Sequence, residues 1–214
     1  MKKYFMIVAA LITLSFGCSS SNEILNLDTA KKRVQNYYEN GDFSRACVNV
    51  IDNAIKEISN LELENNSTVI FDVDDTALNN YEYTKQIGFG YSHPLWHEWI
   101  NSGKATAIPE VKKFYDWLIS RNIKVVFITG RDAETYDSTR KNLIEQGYTK
   151  FDTLIVRSAA EKKLPAAEYK SAKRIELAGK GYKIIAGIGD QESDLTGKMV
   201  GIKIKLPNFL YGIE

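Results

Sequence analysis

Five short apolar runs between Ser67 and Pro207 alternate with stretches of amphipathic pattern. The runs are "STVIFDV", "IKVVFIT", "TLIVR", "YKIIAGIG" and "GIKIKLP"; all are rich in β-branched residues and each is short enough to be a buried strand. Between them lie "PEVKKFYDWLISRN", "DAETYDSTRKNLIEQG" and "EYKSAKRIELAGKG", whose apolar residues recur at helical spacing. Strands that are apolar on both faces and separated by single helices predict an α/β fold, a Rossmann-like parallel sheet covered by helices on both faces. In such sheets ligands bind beyond the carboxyl ends of the strands, at the switch point. The polar residues that end the runs are Asp72 and Asp74, Thr129, Arg157 and Asp190, so acids collect where this fold puts its site.

The 214 residues, 44% of them hydrophobic, suffice for one full core and a small insertion. A formal charge of +1 gives no bulk electrostatic case for nucleic acid as a partner. Residues 1–17 read as a signal peptide, with Lys2 and Lys3 ahead of an apolar run from Tyr4 to Leu14 that is short for a membrane span. The ending "LSFGC" resembles a bacterial lipobox, with its leucine one place early and Phe16 where a small residue is usual. A plain signal peptide cut nearby is the alternative. The lipobox reading makes Cys18 a lipidation site that anchors the chain to the membrane. It implies an outer-membrane lipoprotein of a bacterial cell envelope, facing periplasm or exterior, with residues 18–27 as a polar tether. Cys47 then has no intramolecular partner and reads as a buried thiol on a helix.

Residues 28–66 form a helical region. Asp28 is placed to cap it, Val34, Tyr37 and Tyr38 share a face, Gly41 interrupts, and Cys47, Ile51, Ile55 and Ile58 resume the pattern. No ligand-like cluster occurs there, so these helices read as packing elements.

The chemistry concentrates in "VIFDVDDTALNN". Asp72, Asp74 and Asp75 repel one another unless a cation gathers them. A calcium loop starting at Asp72 fails, because Ala77 and Tyr83 stand where it needs glycine and a carboxylate. A dinucleotide fingerprint fails too, since "GIGDQE" has Glu192 in the third glycine's place. His93 and His97 lie one turn apart with no third ligand nearby in sequence, and read as polar packing residues rather than a zinc site. What remains is phosphoryl transfer by carboxylates. Asp72 at the strand tip can attack phosphorus. Asp74, two residues on and on the same side of an extended backbone, can act as general acid and then base. A Mg²⁺ ion would relieve the repulsion between Asp72 and Asp190 and clamp the transferring group.

Four motifs in order now resemble the haloacid dehalogenase superfamily in its acid phosphatase branch, from Thr68 to the C-terminus. "FDVDDT" matches the first, "VVFITGR" the second, "YKSAKR" the third and "GIGDQESDL" the fourth. "TLIVR" and the C-terminal "KLPNFLY" are similar to the class C bacterial lipoprotein phosphatases and their plant relatives, the plant acid phosphatases and vegetative storage proteins. The resemblance implies a phosphatase domain over 67–214 with a small helical cap inserted at about 78–108, besides the N-terminal helical extension. It implies that Thr129 and Gly130 contact the phosphate and that Lys170, with Lys162 and Lys163 as rivals, is the phosphate-binding lysine. Asp72, Asp190 and the backbone carbonyl of Asp74 would bind Mg²⁺, with Asp194 supporting Asp190. Asp75 reads as a solvated turn residue.

The implied activity is hydrolysis of phosphomonoesters through an aspartyl phosphate, with nucleoside monophosphates as the small-molecule substrate. The cap is aromatic, and "PLWHEW" is similar to the segment that holds a base against a C-terminal ring in those phosphatases, so Trp96 and Tyr211 are candidate substrate contacts. Trp99 reads as packing. Arg131 can pair with a phosphate or with a cap acid. Three alternatives stay open: an aryl phosphomonoesterase without nucleotide preference, a non-catalytic binding or storage lipoprotein, and a structural lipoprotein using the N-terminal helices. A homodimer is also open.

Overall fold

The computed structural model describes residues 24–213. The expected signal peptide, the lipidation site Cys18 and residues 18–23 of the expected tether lie outside the described residues. Two helices, α1 (Leu27–Glu39) and α2 (Asp42–Ser59), precede the first strand, β1 (Ser67–Phe71). An excursion follows, made of β2 (Leu78–Asn79), α3 (Tyr81–Gln86), α4 (His93–Ser102) and β3 (Thr106–Ala107). The chain then runs through α5 (Pro109–Ser120), β4 (Lys124–Asp132), a 3-10 turn at Ala133–Thr135, α6 (Tyr136–Glu145) and β5 (Thr153–Arg157). It closes with α7 (Ala166–Gly179), β6 (Lys183–Gly189), α8 (Glu192–Leu195) and β7 (Ile202–Lys205).

The five long strands form one sheet in the order β5-β4-β1-β6-β7, each neighbouring pair parallel. β1 lies at the centre with all five residues buried, as a strand covered on both faces must be. Successive side chains alternate between faces. Val69 and Phe71 pack with Val125, Phe127 and Ile188 in the larger core, which includes α5; Ile70 packs with Val126, Ile128, Tyr169 and Leu177 beneath α7. The chain crosses to opposite sides of β1 in forming β4 and β6, so the switch point lies at the end of β1.

Local details differ from the sequence pattern in instructive ways. The cap of α1 is Asn26, whose side chain accepts from the Asp28 N–H, and Asp28 is instead a first-turn acid. The two-residue ladder of β2 and β3 ties together the two ends of the excursion, and so short a pairing has no periodicity to read. β4 continues past Thr129 to Asp132 with an irregularity between Ile128 and Asp132.

The helical region at 28–66 is not an appendage. Phe43, Cys47, Ile51, Ala54 and Ile58 of α2 belong to the same core as β1 and α5, each buried apolar side chain contributing about 1.5–3 kcal/mol. The apolar stripe on α2 is therefore covered, which leaves that helix without the exposed stripe a structural partner would grip. Gly41, at φ +88°, makes the left-handed turn between α1 and α2. α1 rests Tyr38 flat on Tyr81 of the excursion, ring centroids 4.9 Å apart, and Tyr37 edge-on to Phe209 of the C-terminal segment at 4.8 Å.

Burial pushes the Cys47 thiol up to about 12. A raised thiol value leaves little thiolate at pH 8, and the thiolate is the reactive form. Cys47 in the folded protein should resist iodoacetamide at pH 8 and be alkylated at once in guanidinium, as read by peptide mass spectrometry; equal labelling in both would contradict the packing of α2.

Candidate active site

Beyond the carboxyl end of β1 opens a cleft of about 460 Å³, within the usual size for a small-molecule site. The Asp72 N–H donates to the Ile188 carbonyl at 3.0 Å, which holds the end of β1 against β6 and sets Asp72 beside Asp190. Carboxylate oxygens of Asp72, Asp190 and Asp194 lie within 4.8 Å of one another, and all three residues are buried.

Lys170 enters this cluster from α7. Its ammonium is 2.5 Å from Asp72 Oδ1 and also donates to Asp194. Burial works against the charge of Lys170, but the two aspartates overcome it and hold its pKa above the ordinary lysine value. Lys162 lies elsewhere, 3.1 Å from Asp132, and Lys163 is exposed. Asp194 is itself held by the Gln191 N–H at 2.9 Å, so the turn after β6 fixes one end of the lysine bridge.

Among the described residues Asp190 accepts from three neutral donors: Thr76 Oγ1 at 3.2 Å, Gln191 Nε2 at 2.6 Å and Asn208 Nδ2 at 2.5 Å. Burial, then Asp194 and Asp75, push it up to about 7. Asp75 is also pushed up to about 7, by burial first. It is not the solvated turn residue its sequence position implies. At φ +52° its carboxylate turns inward, accepting from the Asn80 N–H at 2.9 Å and the Tyr211 hydroxyl at 3.0 Å. Asp72, Asp75, Asp190 and Asp194 thus crowd one pocket around Lys170, with Arg131 and Arg157 on its walls. That donor set, hard oxygens in excess of positive charge, could hold a divalent cation at the cluster of Asp72, Asp190 and Asp194.

Asp74 points toward the second motif. Arg131 grips it through Nε, 3.1 Å from both carboxylate oxygens, and Nη2 at 2.6 Å from Oδ1, and Asn80 Nδ2 adds a third donor at 3.0 Å. Arg131 therefore pairs with an acid of the first motif, not with one of the cap. Thr129 is fully buried within β4, its hydroxyl accepting from the Arg131 N–H at 3.1 Å, while Gly130 and Arg131 reach the cleft wall.

The cap covers the cleft with rings. Trp96 and Tyr83 both line it, centroids 5.1 Å apart, and Trp96 lies 5.7 Å from the Arg131 guanidinium. Trp99 packs on the core, its indole N–H donating to Asn80 Oδ1 at 2.8 Å. Tyr211 comes in from the C-terminal segment. Sequence reasoning missed Thr76, Gln191 and Asn208 as partners of Asp190, and Ser193, whose buried hydroxyl lines the cleft without a partner among the described residues. All four lie inside stretches already singled out; Gln191 adjoins Asp190 in sequence, whereas Thr76 and Asn208 are brought to it by the fold.

Similarity to known proteins agrees with this geometry. The family model described as HAD superfamily, subfamily IIIB (acid phosphatase) matches residues 8–214. The chain is 39% identical over 160 residues to a stem 28 kDa glycoprotein of Glycine max, covering 72% of this chain and 63% of that one. It is 32% identical over 206 residues to vegetative storage protein 1 of Arabidopsis thaliana, covering 91% of this chain and 76% of that one. In fold it is similar to the class C acid phosphatase of Bacillus anthracis, with a TM-score of 0.71 over 87% of this chain and 86% of that one at 21% identity.

The lysine bridge needs Gly189, because a Cβ there would overlap the Asp194 carboxylate. Gly189→Ala should lose about 1–3 kcal/mol of stability in urea unfolding. Gly130→Ala, where a Cβ meets nothing within 4 Å, should not. Equal stability of the two variants would contradict the placement of Asp194.

Proposed function

This chain belongs to the acid phosphatases of haloacid dehalogenase subfamily IIIB, a family of phosphomonoesterases, and from that membership we propose a Mg²⁺-dependent enzyme that hydrolyses nucleoside monophosphates through an aspartyl phosphate. The observation that carries the reading is the convergence of Asp72, Asp190 and Lys170 at the ends of β1 and β6, under a wall of aromatic rings.

In this reading Asp72 attacks phosphorus, and the bond from phosphorus to the ester oxygen breaks as Asp74 gives that oxygen a proton. Asp74 then takes a proton from water, which attacks the acyl phosphate and releases inorganic phosphate, restoring Asp72. Arg131 and Asn80 orient Asp74, so the acid has to loosen this grip before it donates. Lys170 holds Asp72 in place and offers charge to the phosphoryl oxygens, which Thr129 and Gly130 flank. Asp72, Asp190 and the Asp74 backbone carbonyl would hold Mg²⁺, with Asp194 behind them. Bound Mg²⁺ supplies positive charge where phosphoryl charge develops. A base stacked on Trp96 and reached by Tyr211 would gain about 1–3 kcal/mol per ring.

The reading divides the chain into a signal peptide at 1–17, a tether at 18–27 and a phosphatase domain at 67–214 with its cap at 78–108, and joins residues 28–66 to that domain's core. It gives the enzyme a lipid anchor at Cys18 in the outer membrane of a bacterial envelope. No helix among the described residues is long and apolar enough to cross a membrane. A homodimer stays compatible with it. The likeness to a vegetative storage protein keeps a second reading, a storage or binding protein on the same fold.

Phosphate release from a nucleoside monophosphate panel and an aryl phosphate, with Mg²⁺ and with EDTA, separates these. Metal-dependent release, faster on nucleotides, is expected. Release from aryl phosphate alone would remove the nucleotide preference, and none from folded, Mg²⁺-loaded protein would favour storage. Asp72→Asn, which leaves Lys170 paired with Asp194, should still fold, with reduced stability, and lose turnover on the order of 10⁴-fold or more; undiminished activity in that variant would contradict the covalent step.

A further inference from the structure

A second ligand set, of different chemistry, lies at the mouth of the cleft. His93 and His97 are one turn apart on α4 with ring centroids 4.5 Å apart, as i and i+4 residues on one helix face must be. In sequence they lack a third ligand, but the fold supplies one. Asp132, at the end of β4, brings Oδ2 to 3.5 Å from His97 Nε2. One ligand atom from each of the three residues lies within 4.8 Å of the others. They line a cavity of about 260 Å³ that adjoins the cleft, sharing Trp96 and Arg131 with it but none of its carboxylates.

Hydrogen bonding does not account for this convergence, since 3.5 Å is long for a ring N–H and a carboxylate. Metal geometry does. Ligand atoms about 2.0–2.1 Å from a tetrahedral zinc ion stand about 3.4 Å from each other. His97 and Asp132 already have that spacing, and His93, which is exposed, places a ligand atom within 4.8 Å of both. Lys162 Nζ lies 3.1 Å from the same Asp132 oxygen. Its side chain is 43% exposed, so an incoming ion can displace it into water at little cost.

We propose that His93, His97 and Asp132 form a transition-metal site, for Zn²⁺ or a similar borderline divalent ion, that pins cap helix α4 to the end of β4. Two imidazoles and a carboxylate select such ions over Mg²⁺, whereas the all-carboxylate cluster at Asp72 and Asp190 suits Mg²⁺. The two sites therefore sort metals by donor type.

The test is a Co²⁺ titration of the full-length protein with Mg²⁺ in excess, read by visible absorption. The wild type and Asp190→Asn should develop a band that saturates at a single equivalent, and His93→Ala/His97→Ala should lose it. Zn²⁺ should raise the melting temperature of the wild type and not that of the double variant, whose metal-free melting should match the wild type and so establish that it folds. An equal band in the double variant, or no band in folded wild type, would overturn the site. Neither readout involves phosphate release, so failure here is distinct from failure of the phosphatase reading.

Discussion

A protonated lysine buried between two aspartates is the interaction on which the cleft is built. Lys170 is useful only if α7 docks at one register, if β1 ends at Asp72 and if the turn after β6 brings Asp194 back over Gly189. Each requirement is met by a different part of the chain. Breaking such a bridge at one partner leaves a buried charge uncompensated, at a cost of about 3–5 kcal/mol. The bridge is thus a weak source of net stability and a strong source of specificity for one arrangement. Its excess of carboxylates over cations makes the pocket receptive to a divalent ion.

Around this centre the fold builds walls from segments that are peripheral in sequence. Tyr38 stacks on Tyr81 at the base of the cap, and Glu39 accepts from the Tyr81 hydroxyl and from Lys85, both at 2.6 Å. Tyr37 meets Phe209, two residues before the Tyr211 that reaches Asp75. α1 therefore braces both the cap and the C-terminal segment, the two elements that supply rings to the cleft. This gives the N-terminal helices a role in shaping the site, through ring packing and the hydrogen bonds to Glu39.

How far the sequence reading reached follows from the range of the interactions. The alternation of apolar runs and helical patterns is local, and it led to the parallel sheet and to the end of the strands where Asp72 and Asp190 meet. The identity of the family was likewise legible, because its motifs are contiguous. What escaped is non-local. Asp75 reads as a solvated turn residue until its positive φ and the approach of Tyr211, 136 residues on, turn it inward. Arg131 has a phosphate or a cap acid as its expected partner by sequence, and the packing of β4 beside β1 gives it Asp74 instead. His93 and His97 lack a third ligand until β4 runs past Thr129 and delivers Asp132. In each case the missing information is a contact between segments far apart in the chain.

In the proposed mechanism Asp72 carries the phosphoryl group. The most direct measurement uses Asp74→Asn with Mg²⁺ and an aryl phosphate, whose leaving group departs without needing a proton. The variant keeps the nucleophile and lacks the base that activates water, so the acyl phosphate should accumulate. Acid quenching, proteolysis and mass spectrometry should find the phosphoryl group on Asp72. A phosphoryl group on another residue, or none while the wild type turns over under the same conditions, would contradict the account.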